Sequence, residues 1–332
     1  MNLIAKRRRL MPTLQLLSVV ALAVLLGWLV VRGLDWGELG KQLYRFPLGL
    51  SALALGFFLA GIMLRAWRWH ILFVNEQVSL LRLFLVQNAG IGLNNVSPIR
   101  VVSEPVQLML LTRRDGITAG TALATLATEH LIDVLVVGSL LGLGVLLMPE
   151  LQGFSIQLAG AVILAAISLL VFLIIVRGME AIPGTGRVPF LRNAITSIKT
   201  LQSAPHRLFL SILGTIGHWV LLGLSGWVIA QGLDIDVGVA VVVVLFMGSI
   251  FMVSAVPSLP GGAITFEAAV VYTLSLFGVE GETALAFAIL MHIIMFAPST
   301  IIALFVLPRE GIKVLGRRPH PAATNNEEPQ NQ

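Results

Sequence analysis

Apolar runs of about 18 residues or more recur along this chain, each long enough to cross a hydrocarbon core of about 30 Å as helix. In lipid such a run must satisfy its own backbone, which leaves only the helix or the closed barrel. The alternating pattern of barrel strands is absent, so the sequence specifies an all-α polytopic membrane protein. Its charge content agrees: 12% of 332 residues are charged, against about 25% in soluble domains. The absence of cysteine excludes disulfides, thiolate metal sites and a cysteine nucleophile. The net charge of +5 does not point to nucleic acid. Basic residues cluster at the ends of apolar spans, where an anionic inner leaflet is the simpler partner.

Eight apolar regions are distinguishable. Full spans are expected near 12–31, 48–72, 116–147, 156–176, 207–231 and 284–307. The first follows Lys6–Arg9 and lacks a small-residue cleavage site, so it reads as an uncleaved span. Two further regions, near 80–112 and 238–277, are each split by a helix-breaking block. These blocks are Asn94-Asn95-Val96-Ser97-Pro98 and Pro257-Ser258-Leu259-Pro260-Gly261-Gly262. Most of their arms hold about 15 residues, roughly 22 Å of helix, too short for a comfortable crossing. Six full spans and two re-entrant hairpins are therefore expected; eight spans, with the second broken region crossing twice, is the alternative.

Charge asymmetry orients this arrangement. With the N-terminus inside, 18 of the 22 Lys and Arg residues lie on the cytoplasmic side; Arg32, Lys41 and Arg45 lie outside and Arg100 within the membrane. Both termini are thus expected in the cytoplasm, with the protein in the inner cell membrane. Residues 1–318 read as one membrane domain, 187–204 as an interfacial helix within it, and 319–332 as a disordered polar tail. The halves 45–147 and 205–307 share an order of span, broken segment and span, in opposite orientations. Such inverted halves point to a substrate site near the midplane.

The ionisable residues inside the apolar regions are the functional candidates. Arg100 and Glu104 lie four apart, on one helical face just after the first break. A structural ion pair accounts for them, as does a clamp in which Arg100 grips a phosphate or carboxylate and Glu104 orients it. Glu129 and Asp133 also share a face, with His130 beside them; they require a cation, a proton or an arginine, supplied by Arg100, Arg65 or Arg68. Glu267 follows the second break, where the Gly261-Gly262 backbone would expose N–H groups to an anion at a helix start. A satisfied core carboxylate is the plainer account of Glu267, and hydrogen-bonded core histidines of His218 and His292. No phosphate-cradling loop, zinc-binding histidine spacing or serine–base motif occurs. No catalytic residue, metal or cofactor is therefore assigned, and the chain is not expected to be an enzyme.

At these residues the chain resembles the lysylphosphatidylglycerol synthase transmembrane-region family, or flippase-like domain family. The resemblance rests on Arg65-x-x-Arg68-Trp69, Asn94 to Glu104 with Pro98 and Arg100, Glu129-x-x-x-Asp133, and Pro257-x-x-Pro260-Gly261-Gly262 with Glu267. It covers roughly residues 10–310. The chain departs from the family pattern at His130, Gln107 and Ala263-Ile264, where arginine, arginine and glycine are respectively common. The resemblance implies paired hairpins facing a central cavity that accommodates amphipathic lipids. It also implies a stand-alone member, the chain ending too soon for the soluble synthase domain of the aminoacyl-lipid synthases. Membrane lipids with an anionic or zwitterionic headgroup are the expected partners, held by Arg65, Arg68 and Arg100, with Glu104, Glu129, Asp133 and Glu267 balancing charge or carrying protons. A homo-oligomer or an associated lipid or glycan synthase is compatible with this reading. The rivals are an ion- or proton-coupled small-solute transporter, an accessory subunit and an embedded transferase with a divalent cation at Glu129, His130 and Asp133.

Overall fold

Among the described residues of the computed structural model, four helices are long and apolar enough to cross a membrane. The structure describes residues 21–22, 24–97, 102–154, 159–160, 163, 166–171, 174, 177–178, 188–255 and 259–311. After a helical stretch at 24–31 come α1 (Trp36–Arg45), α2 (Leu48–His70), α3 (Leu80–Val96), α4 (Ser103–Arg114) and α5 (Ala119–Leu147). A 3₁₀ turn at Pro149–Phe154 follows, and then α6 (Pro189–Gln202), α7 (Pro205–Gly232), α8 (Val239–Ala255), α9 (Thr265–Ser275) and α10 (Gly281–Arg309). No strand occurs among the described residues. The four long helices are α2, α5, α7 and α10, close to four of the expected spans. The expected spans near 12–31 and 156–176 lie largely outside the described residues, as does the tail at 319–332.

The outer faces of these helices remain apolar. Leu53, Leu59 and Met63 on α2, Phe209 and Leu213 on α7, and Ile301, Leu304 and Phe305 on α10 are all exposed. A soluble protein rarely leaves contiguous apolar surface of this kind uncovered; against acyl chains it carries no cost. This is an α-helical membrane protein.

Local chemistry sets the ends of the elements. The Ser79 and Thr118 side chains accept the backbone N–H groups of Arg82 and Thr121, capping α3 and α5. The first break differs from expectation. Asn94, Asn95 and Val96 stay helical, and the chain turns extended only at Ser97 (φ −83°, ψ 137°), the residue before Pro98, where proline disfavours the helical region. Asn95 tolerates the helix because its Nδ2 donates to Thr300 Oγ1 of α10 at 3.1 Å. Pro98 to Val101 lie outside the described residues, and so do Pro257 and Ser258.

The second break also departs from expectation. Gly261 and Gly262 take left-handed φ angles of 70° and 79° within a short 3₁₀ turn. The Gly262 N–H is spent on the Leu259 carbonyl at 2.9 Å. Helix α9 starts only at Thr265, so the glycine pair does not open it and Glu267 stands in its first turn. Ile264 itself adopts φ 71°, a strained conformation for a β-branched residue.

Helix α1 falls where the sequence reading placed an outer loop. Asp35 caps it by accepting the N–H groups of Gly37 and Glu38, Leu39 is buried, and the Asp35 N–H donates to Glu282 Oε1 of α10 at 2.9 Å. Asp35→Ala is expected to lower the thermal unfolding midpoint by an amount equivalent to about 1 kcal/mol, with an unchanged midpoint counting against the cap.

In the interior, α2 and α7 lie along each other. In sequence order α2 contacts α3, α3 contacts α4 and α4 contacts α5; α7, α8, α9 and α10 repeat that chain of contacts. Helix α3 runs closely along α10, whereas α8 meets α5 only sparsely. The amphipathic α6 packs on α5 through Ala194, Ile198 and Leu201.

Candidate functional site

A fully buried arginine organises the centre of the molecule. Arg68, with 0% of its side chain exposed, projects from the last two turns of α2. Its Nη1 donates to Asp133 Oδ1 (2.9 Å) and Thr215 Oγ1 (2.6 Å); its Nη2 donates to Asp133 Oδ2 (2.6 Å) and Glu129 Oε1 (2.9 Å). The two-pronged grip on Asp133 is the geometry a planar guanidinium favours. Gln87 Nε2 of α3 donates to the same Glu129 oxygen at 2.9 Å. One side chain thus gathers α2, α3, α5 and α7. The four-residue spacing of Glu129 and Asp133, which puts both acids on one face of α5, makes this convergence possible.

Both terminal nitrogens of Arg68 are hydrogen-bonded, its Nε alone having no partner, whereas Arg65 stands differently. One helical turn earlier on α2, Arg65 is 26% exposed and its Nε lies 3.7 Å from Glu129 Oε1, beyond hydrogen-bond range. Among the described residues nothing hydrogen-bonds its guanidinium, and its Nε is buried without a partner. Arg65 therefore balances the second acid of the cluster while keeping donors free.

Those donors face a cavity of about 490 Å³, within the range of small-ligand pockets. Its body is apolar, walled by Phe58, Ile62, Val137, Leu141, Leu222, Met247, Phe251 and Met295. Its polar lining consists of Arg65, Asn95, His130, Asp133, His218 and Ser299. His218 Nδ1 lies 2.9 Å from the Gly61 carbonyl, which can only accept, so Nδ1 carries the proton there. The cavity is central, lined by residues of α2, α3, α5, α7, α8, α9 and α10.

The remaining acids each face a histidine. Glu104 Oε1 lies 3.4 Å from His130 Nε2, and Glu267 Oε1 lies 2.5 Å from His292 Nδ1. The second carboxylate oxygen of Glu267 is buried and unpartnered. Gly261 sits beside this pair: a side chain added there would approach the Asn95 carbonyl and His292 Nε2. Arg100 lies outside the described residues, and the acids for which it was a candidate partner are served by Arg68 and His130. A third cluster ties helix ends together: Arg82 grips Asp115 with Nε (2.9 and 3.0 Å) and Glu310 with Nη1 (2.8 Å).

The structure thus brings Arg65, Arg68, Glu129 and Asp133 into one cluster, puts Glu104 beside its rim, and holds Glu267 apart on α9. Sequence reasoning missed Gln87 and Thr215, and gave His130 and His292 no acid partner. Their signal was a polar side chain within an apolar helix, which identifies a buried partner without naming it.

Two comparisons bear on these residues. The family model described as the lysylphosphatidylglycerol synthase TM region matches residues 15–303. A curated relative, a UPF0104 membrane protein of Methanothermobacter thermautotrophicus, is 24% identical over 302 residues, covering 85% of this chain and 79% of its own length.

Proposed function

The chain belongs to the lysylphosphatidylglycerol synthase transmembrane-region family, and on that premise we propose that it is a lipid translocase-like protein. The headgroup, anionic or zwitterionic, enters the cavity and meets Arg65; the acyl or isoprenoid chains lie along its apolar walls and in the surrounding lipid. The observation that carries this reading is the division of labour between the two arginines. Arg68 is held by Glu129 and Asp133, whereas Arg65, 26% exposed and hydrogen-bonded to nothing among the described residues, lines a cavity whose walls are mostly apolar. A small polar solute would leave that apolar body unpaired with anything, so the amphipathic ligand is favoured over a solute transporter.

The topology that accompanies this reading has α3–α4 and α8–α9 as two re-entrant hairpins in oppositely oriented halves, with both chain ends in the cytoplasm and the protein in the inner membrane. Arms of 17 and 12 residues, and of 17 and 11, support it, being shorter on average than a full crossing requires. So does the repeated order of helix contacts. No covalent chemistry is assigned to the protein.

The test is movement of fluorescent phosphatidylglycerol across vesicles of phosphatidylethanolamine and phosphatidylglycerol containing the purified protein. Arg65→Ala is expected to slow movement by about 10- to 100-fold, the equivalent of losing a charged hydrogen bond of about 1.5–3 kcal/mol, while Arg65→Lys retains part of it. Wild-type rates in Arg65→Ala, with unfolding unchanged, would remove the headgroup site.

A further inference from the structure

The two acid–histidine pairs occupy the same place in the two halves of the chain. Glu104 stands on α4, the short helix after the first break, and its partner His130 follows 26 residues later on α5. Glu267 stands on α9, the short helix after the second break, and His292 follows 25 residues later on α10. The order of helix contacts maps α4 onto α9 and α5 onto α10. Neither pair belongs to the Arg68 cluster, and the headgroup reading makes no use of their matched positions.

We propose that these pairs are matched proton sites that couple proton movement to the lipid movement proposed above, on which the coupling rests. A carboxylate and an imidazole that share one proton are neutral together, whichever atom holds it; removing it leaves a net charge of −1. Inside a membrane protein an uncompensated charge is expensive, so each pair is stable in a closed environment only with its proton. The pairs are in unlike states. Glu104 and His130 are 42% and 45% exposed and 3.4 Å apart; Glu267 and His292 are each 18% exposed and 2.5 Å apart. The helices agree with the side chains. On the side of the loose pair α5 meets α8 only sparsely, near Gly144 and Val244, whereas on the side of the tight pair α10 packs closely along α3. An open half exchanges its proton and a closed half retains it. Rocking the halves about the central α2–α7 contact would interchange these roles.

The charges around each pair leave the proton as its neutralising partner. Around Glu267–His292, α8 carries no charged residue and α9 adds only Tyr272. The charged side chains of α3 (Arg82) and α10 (Glu282 and Arg309) lie at helix ends; α7 contributes His206 and Arg207 in its first turn and His218, α1 carries Glu38, Lys41 and Arg45, and α2 carries Arg65, Arg68 and His70. Near Glu104–His130 stand Arg65, Glu129, Asp133 and His218, of which Arg65 offsets the charge of Glu129 at 3.7 Å without hydrogen-bonding it; Arg100, four residues before Glu104, lies outside the described residues. Arg113 and Arg114 are at the far end of α4.

Two measurements test this on the full-length protein. In lipid nanodiscs, nitrogen NMR of labelled histidine from about pH 5 to about pH 9 is expected to show His130 and His292 titrating. Glu104→Gln and Glu267→Gln are each expected to move the midpoint of the facing histidine by at least about one unit. Glu104→Gln keeps the test available if Glu267→Gln fails to fold, since it leaves no buried charge. In phosphatidylethanolamine–phosphatidylglycerol vesicles held at zero membrane potential, a pH gradient is expected to drive fluorescent phosphatidylglycerol to an asymmetry of about tenfold per pH unit for each proton moved. Histidines that do not titrate, or titrations indifferent to both acid variants, overturn the proton sites whether or not lipid moves. Lipid that moves without responding to the gradient overturns the coupling. No lipid movement beside intact titrations overturns the translocase reading and the coupling with it, and leaves the proton sites standing.

Discussion

Arg68→Met is expected to destabilise the protein by about 3–5 kcal/mol, the usual cost of removing one partner from a buried ion pair. The variant leaves Glu129, 1% exposed, with only a distant Arg65 and the Gln87 amide, and leaves Asp133 without its two-pronged partner. It also strips Thr215 Oγ1 of a donor at 2.6 Å. Arg68→Lys is expected to recover part of the loss, because an ammonium supplies the charge without the fork that reaches two carboxylates at once. Combining Arg68→Met with Glu129→Gln and Asp133→Asn is expected to recover more, since a neutral cluster has no charge to strand. Thermal unfolding of the purified protein in one detergent, followed by tryptophan fluorescence, measures all three. A wild-type midpoint in Arg68→Met would show that the cluster does not hold the helices together. A triple variant that is stable but moves no lipid would separate its structural role from its part in transport.

The second large effect is expected at Gly92, where α3 meets α10. A Cβ built there would lie 2.0 Å from the Ser299 carbonyl oxygen and 2.6 Å from the Ala303 Cβ. The first neighbour is backbone, so no rotamer change relieves the clash and the helices must separate. Small residues at such crossings allow the close approach on which helix packing in lipid depends. Gly92→Ala is expected to cost about 1–3 kcal/mol, and Gly92→Leu more. Gly56, exposed on α2 with nothing within 4 Å of its added Cβ, is the control: Gly56→Ala should be neutral or stabilising by up to about 1 kcal/mol. Equal midpoints for Gly92→Ala and Gly56→Ala would contradict the close α3–α10 contact. Prising that contact apart should also loosen the Asn95–Thr300 hydrogen bond and the Asn88–Ser299 one beside it. Spin labels on the two helices would then report a longer distance in Gly92→Ala.

Much of the site was legible because helical periodicity is local. Glu129 and Asp133 had to share a face, Arg65 and Arg68 likewise, and buried acids had to find cations. What faced what was not legible. The sequence reading kept Arg100, Arg65 and Arg68 open as partners of the acids, and the fold puts Arg68 between them across a separation of 61 to 65 residues. It placed Glu104 on one face with Arg100, which lies outside the described residues, and did not see that Glu104 also faces His130. Helix α1 was passed over because ten residues holding two glycines and four polar side chains resemble a loop until a partner surface buries Leu39.

The sequence alone determined that this chain is a helical membrane protein, where its long apolar helices run, and which few residues carry buried charge. Those properties follow from lengths and spacings of under 30 residues along one chain, for which backbone hydrogen bonding and helical pitch leave few alternatives. Only the tertiary structure decided that Arg68 grips both acids while Arg65 hydrogen-bonds neither, that Glu267 meets His292, and that α3 packs along α10 more closely than α8 along α5. The physical reason is that these depend on which helix faces face each other. In a membrane, where lipid and protein interior are equally apolar, close packing and scarce polar contacts between distant segments make that choice.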